Sequence, residues 1–216
     1  MIYVSIDIET TGLDSDVNQT IEFGAIIEDS NNPKSYEDSK KYRRVVLSRD
    51  KTYVFSSFAA KLNAGLIELI SDIENSKDGV TFFNNENLSQ SAIYSDQLII
   101  DFKFWLAQNG FTENKSGIME VVAAGKNFAS FDKKFIEATS RVKMESLGIR
   151  FHHRTIDPAS MFIDWKNDIT PPSTDTCKKR AELTGKVKHE ALADAWDVIQ
   201  LLRKQYHNNP YNSHSI

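Results

Sequence analysis

One cysteine, five prolines and nine glycines are all that this 216-residue chain holds of the residues that staple or punctuate unusual folds. The single thiol, Cys177, excludes an internal disulfide framework and a cysteine-built zinc site, and reads as a reduced, structurally minor group. Scarce Gly and Pro exclude a collagen-like chain, and 40% hydrophobic residues beside 26% charged ones exclude an intrinsically disordered one. No apolar run approaches the roughly 20 residues that span a bilayer. No basic, apolar and small-residue leader precedes Asp7. The expectation is a soluble, cytoplasmic protein with no membrane partner. A basic excess is also missing: 26 Lys and Arg face 30 Asp and Glu, a net charge of -4. That balance excludes a polybasic nucleic-acid coat but permits a local basic rim around an acidic site. Without repeats or a recognisable linker, the length predicts a single domain over 1–206, with a polar, frayed tail over 207–216.

What is present is hydrophobic periodicity. Ile2 to Glu9 alternates with period two, the mark of a strand, so Asp7 and Glu9 share one face. A turn at Thr11–Asp14 leads to a second strand over Thr20–Ile27, pairing antiparallel with the first, and Lys41–Leu47 reads as a third. The polar stretch from Asp29 to Lys40 reads as a long, mobile hairpin loop. Helical spacing then runs from Ser56 or Ser57, an N-cap, to Ile73, and again from Ile93 to Leu106, stopping at Asn109-Gly110; a polar segment around Asn84 to Ser91 separates the two. Val121–Gly125 reads as a buried strand before a helix through Phe135 and Val142. Ile149–Ile156 is a short strand, and Pro158 opens a helical turn. Glu190 to Tyr206 is the clearest helix. Three strands followed by alternating helices and strands predict an α/β, three-layer plan with a mixed central β-sheet flanked by helices.

Three acidic elements stand out. Asp7-Ile8-Glu9 sets two carboxylates about 6 to 7 Å apart on one strand face, a costly pairing unless positive charge lies between them. Gly125 to Asp132 follows the buried strand and places Asp132 in the first turn of a helix. His189 and Asp194 open the last helix, where Ala191, Ala193 and Ala195 allow close packing on a sheet, although an unpaired buried carboxylate is expensive there. Four carboxylates carry -4 and two divalent ions +4, and oxygen-only ligation suits Mg²⁺ or Mn²⁺. Such a pair of ions supports in-line phosphoryl displacement, and, histidine being the side chain suited to proton transfer at neutral pH, His189 is the natural general base.

These elements resemble the motifs of the DEDDh, DnaQ-like exonucleases. The first, Asp-x-Glu-Thr-Thr-Gly-Leu, is matched at residues 7 to 13 without a mismatch; the second by Asn127, Phe131 and Asp132; the third by His189 and Asp194. The resemblance implies a ribonuclease H-like fold and 3′-to-5′ release of nucleoside monophosphates from single-stranded DNA or RNA ends. It implies that Asp7 bridges two Mg²⁺ or Mn²⁺ ions, that Glu9 and Asp194 complete the nucleophile-side ion, and that Asp132 holds the other through water. It further implies that the backbone at Thr10 and Thr11 holds the terminal nucleotide and that Leu13 packs on its base, with Asn127 and Phe131 at the neighbouring wall. Phe131 reads equally well as core.

Glu22 occupies a position where members of the family that the chain resembles often carry an acid, yet it reads most simply as a surface acid of the second strand. His152 and His153, taken as adjacent strand residues, would point to opposite faces and receive no role. Lys126, Lys133, Lys134, Lys178, Lys179, Arg180, Lys186 and Lys188 flank the second and third motifs, either as ordinary surface or as phosphate contacts. Pro171-Pro172-Ser173 reads as a loop. Oligoribonuclease-like relatives are shorter dimers, so the length slightly favours DNA, with RNA trimming as the alternative. A nucleic-acid-binding or polymerase-docking module is the reading from another class, and a homodimer or a polymerase partner stays open. All four carboxylates and the histidine are retained, which favours catalysis.

Overall fold

The alternation at the start of the chain decides how the sheet divides its neighbours. In the computed structural model, which describes residues 1–76, 80, 91–140, 142–185 and 189–207, β1 (Ile2–Thr10) lies inside a five-stranded sheet. It pairs antiparallel with β2 (Thr20–Asp29), which pairs antiparallel with β3 (Lys40–Leu47). A short edge strand, β4 (Ser91–Tyr94), runs parallel to β3, and β6 (Ala123–Ala124) runs parallel to β1 on its other side. The order is therefore β4-β3-β2-β1-β6, a mixed sheet. A separate two-stranded parallel sheet joins β5 (Met119–Val121) to β7 (Ile149–Phe151).

Even-numbered β1 residues Val4, Ile6 and Ile8 pack into the larger core with Phe23 and Ala25 of β2. Against them lie Phe102 and Leu106 of α3 (Leu98–Gln108) and Phe135 and Ile136 of α4 (Asp132–Thr139). The opposite face belongs to the last helix, α6 (Ala191–His207), which buries Ala195, Val198, Ile199 and Leu202 against Tyr3 and Ile26. Asp7, Glu9 and, across the ladder, Glu22 thus fall on the face that α6 covers. After α1 (Ser57–Leu62), α2 (Ala64–Asn75) covers a third cluster at the β3–β4 side of the sheet, with Ile70 and Ile73 packed with Val45, Leu47 and Ala92.

The helix α6 is fixed along its length by ion pairs. Arg203 grips Glu28 through two 2.7 Å contacts, and Lys178 of α5 (Thr174–Arg180) reaches Asp197 at 2.5 Å. Close approach at its start depends on Gly24: a Cβ there would lie 2.5 Å from the Ala191 carbonyl carbon and the Leu192 nitrogen. Both of those are backbone atoms of α6, so neither has a rotamer with which to yield. Gly24→Ala is expected to cost about 1–3 kcal/mol or more through overpacking. That is a fall of several degrees in Tm, and an unchanged thermal melt would contradict this seating of α6.

Several expectations change in detail. The helix expected from Ser56 to Ile73 is two helices: Ser56 caps the first as expected, and Asn63 interrupts them because its amide donates to the Thr10 carbonyl at 3.1 Å. Ile93 belongs to β4 rather than to a helix, since pairing with Val46 claims it before α3 begins at Leu98. The strand expected at Val121–Gly125 divides, with Met119–Val121 joining the small sheet and Ala123–Ala124 the large one. β7 ends at Phe151, leaving Ile156 as an isolated bridge to Ala124, and α4 ends at Thr139, short of Val142. The hairpin loop after Asp29 is pinned: Lys41 Nζ bonds the Tyr36 carbonyl, Arg203 the Lys34 carbonyl, and Tyr36 packs on Trp196. The segment read as polar around Asn84–Ser91 falls outside the described residues except for Ser91, and the tail beyond His207 falls outside them entirely. Cys177 is fully buried, and Ser173 caps α5, as a loop reading of the preceding prolines implies. Among the described residues, no helix is long and apolar enough to cross a membrane.

Candidate active site

The period-two strand puts Asp7 and Glu9 on the face beneath α6, and the first turn of α6 delivers Asp194 to the same place. One carboxylate oxygen from each of Asp7, Glu9 and Asp194 lies within 4.8 Å of the others. Asp132, at the start of α4, is buried and adds its charge to the field at Asp7, although it stands outside that three-acid group. It enters from the Gly125 loop beyond the end of β6, where the chain crosses to α4. Four motif acids read from the sequence are therefore assembled around the end of β1.

Burial dominates their electrostatics. Desolvation and then the charges of Asp132, Asp194, Glu9 and Glu22 push Asp7 well above the ordinary carboxylate range. Glu9 is raised to about 8, first by desolvation and then by Glu22 and Asp194, while a hydrogen bond from Asn63 opposes the shift. Asp132 is raised to about 7 by desolvation, with its own backbone N–H and that of Ile8 pulling the other way. Hard oxygen donors crowded at this spacing and charge fit a divalent cation such as Mg²⁺ or Mn²⁺.

A pH dependence follows. Glu9 and Asp132 titrate higher in the fold than their ordinary values of 4.5 and 3.8, so between roughly pH 4 and 8 the folded chain holds more protons than the unfolded one. Stability without metal is fully present below that window and is lost as pH rises through it. Between pH 5 and 8 in EDTA the loss is expected to be on the order of 2–4 kcal/mol, about 5–15 °C in Tm. Excess Mn²⁺ at pH 8 should restore it by binding only the folded state. A Tm in EDTA that is flat across this range would contradict the assignment.

The loops carrying the remaining motif residues are held in left-handed backbone. His189 is exposed with φ 54°, just before α6, and Asn127 is exposed with φ 59°, its N–H donating to Asp157 at 2.9 Å. Such conformations are costly for non-glycine residues and concentrate at functional positions. His189 is not a member of the three-acid group. Leu13 is 82% exposed on the first-motif turn. With Phe131 and Lys134 it lines an open cleft of about 630 Å³. Phe131 also packs against Phe135, ring centroids 5.0 Å apart, so it serves wall and core together. Thr10 and Thr11 are buried, and their carbonyls accept from Asn63 Nδ2 and the Ser56 N–H. They tie the first motif to α1.

Solved structures share this fold. Exonuclease I of E. coli superposes with a TM-score of 0.63 at 14% identity, over 97% of this chain and 42% of that one. A moderately thermophilic Exonuclease I from Methylocaldum szegediense gives 0.60 at 14% identity, over 97% and 41%. Cell-death related nuclease 4 gives 0.61 at 13% identity, over 95% and 64%. No family model and no curated protein sequence matches the chain. The expected α/β, ribonuclease H-like fold with a mixed sheet is thus the observed one. The chain spans about two fifths of the length of the Exonuclease I structures.

Two residues near the acids were misread or missed. Glu22 is a buried acid and not a surface one: β1–β2 register sets it directly opposite Glu9. Asn63, fully inside the protein, bonds both Thr10 and Glu9, and no local pattern in the sequence marks it. The basic residues also divide. Lys178 is buried on Asp197 and Arg180 pairs with Asp168, so neither is a free phosphate contact, whereas Lys134 and Lys179 are exposed. Lys186 and Lys188 fall outside the described residues. His152 and His153 lie beyond the end of β7, so strand alternation does not separate them, and their ring centroids are 4.3 Å apart with the planes tilted by 33°.

Proposed function

We propose that residues 1–206 form a divalent-metal-dependent exonuclease that releases nucleoside 5′-monophosphates from the 3′ ends of single strands, DNA preferred. The observation that carries this reading is the convergence of Asp7, Glu9 and Asp194 within 4.8 Å at the end of β1. Asp132 stands beside them. The neighbours in fold support it: E. coli Exonuclease I has been solved with a dT13 oligonucleotide, and with zinc in a single-stranded DNA complex.

Asp7, Glu9, Asp132 and Asp194 would hold two Mg²⁺ or Mn²⁺ ions, which would supply charge neutralisation and Lewis acidity to phosphodiester hydrolysis. His189 accepts the proton of the attacking water. The water oxygen bonds to phosphorus as the bond between phosphorus and the 3′ oxygen breaks, and the departing oxygen takes a proton from solvent, leaving a 5′-monophosphate and a strand with a new 3′ hydroxyl. Leu13 and Phe131, which line the cleft, flank the terminal base, Asn127 stands toward the same wall, and the backbone at Thr10 and Thr11 holds the terminal nucleotide.

Substrate preference is tested by digesting single-stranded DNA and RNA of equal sequence at matched Mn²⁺. Faster DNA shortening is expected. A faster RNA reaction would reassign the substrate to RNA, and retention of either strand without shortening, with tight binding, would favour a binding module.

A further inference from the structure

Glu22 is a buried acid that the proposed chemistry does not use. It is 1% exposed and stands across the ladder from Glu9, yet it is outside the group of converging acids. Its oxygens are engaged elsewhere. Oε1 accepts Arg43 Nε and Nη2, each at 2.7 Å, and Oε2 accepts the N–H of Ala191 at 2.9 Å. Ala191 is the first residue of α6, and the N–H groups of a helix's first turn have no partner within the helix. Two neighbouring contacts complete a seat. Gly24 admits the backbone of Ala191 and Leu192, and Ser5 Oγ donates to the Ala195 carbonyl at 2.7 Å. Asp194 lies between these anchor points. In charge, Glu22 would bring the acids of the cluster to -5, and Arg43 returns them to -4, the value that two divalent cations cancel.

We infer that Glu22 is a positioning residue, held away from the metal site by Arg43, that seats the first turn of α6 so that Asp194 meets Asp7 and Glu9. The inference rests on the metal site proposed above. Three variants of the full chain separate the possibilities: Glu22→Ala removes the seat, Glu22→Gln keeps an acceptor for the Ala191 N–H, and Glu9→Gln removes a proposed ligand. Hydrogen exchange in EDTA reads the seat without metal. Exchange through Ala191–Ala195 should accelerate in Glu22→Ala and remain close to wild type in Glu22→Gln.

Mn²⁺ titration and oligonucleotide kinetics read the site. Glu22→Ala should keep two bound ions and an unchanged KM while kcat falls about 10- to 100-fold, the usual loss when support behind metal ligands is removed. Glu22→Gln should recover most of that rate. Loss of one Mn²⁺ in either Glu22 variant, as in Glu9→Gln, would make Glu22 a ligand and overturn the inference. An unchanged kcat or unchanged exchange in Glu22→Ala would overturn it as well. If Glu22→Ala does not fold, Glu22→Gln decides by its ion count and its rate. Wild-type protein that binds no Mn²⁺ would overturn the functional reading instead, leaving the exchange result to judge the seat.

Discussion

Asp7→Asn abolishes measurable turnover, by at least about a thousandfold, and yields a protein that melts higher than wild type in EDTA. The first effect follows from removing the acid on which all the others converge, since Lewis-acid stabilisation is worth several kcal/mol and each 1.4 kcal/mol is tenfold in rate. The second follows from charge. Asp7 is strained toward protonation by burial and by Asp132, Asp194, Glu9 and Glu22, and a neutral amide escapes that repulsion. The two changes have opposite signs, which separates a lost ligand from a damaged fold. Rates on a labelled oligonucleotide and melts in EDTA check both. A folded variant with full activity would remove Asp7 from the site.

His189→Ala lowers the chemical step by about two to four orders of magnitude, the range for loss of a positioned general base. Its ring is exposed and its backbone left-handed, so truncation removes little packing and Tm should hardly move. Mn²⁺ affinity should also stay close to wild type, because His189 is not among the converging acids. Single-turnover rates across pH check the assignment. An unchanged chemical step would exclude His189 as the base.

Much of this site was legible because it depends on short-range periodicity. Period two alone puts Asp7 and Glu9 on one strand face, and the helical stripe of α6 places Asp194 among alanines at a close contact. The misread parts depend on long-range pairing. Glu22 looks like any strand acid until the β1–β2 register is counted: Asp7 opposite Gly24 puts Glu9 opposite Glu22. That count, together with alternation, would have placed Glu22, Gly24, Ile26 and Glu28 on the face covered by α6. The helical run of Leu98, Phe102, Trp105 and Leu106 carries no spacing that reaches back to Ile93, and a parallel partner in β3 claims that residue instead. Asn63 falls within the span of the unbroken helical spacing from Ser56 to Ile73, and the tertiary bond to Thr10 accounts for the break there. The Lys178 and Arg180 charges were visible as a basic run, but their partners Asp197 and Asp168 lie 19 and 12 residues away.

The central claim is that these acids form a metal site that trims strands from the 3′ end. It is tested most directly by a time course on 5′-labelled single-stranded DNA, with Mn²⁺ or EDTA, wild type beside Asp7→Asn. The account predicts a ladder shortening from the 3′ end in Mn²⁺ alone and an intact strand with the variant. Cleavage that persists in EDTA, or equal ladders from wild type and Asp7→Asn, would contradict it.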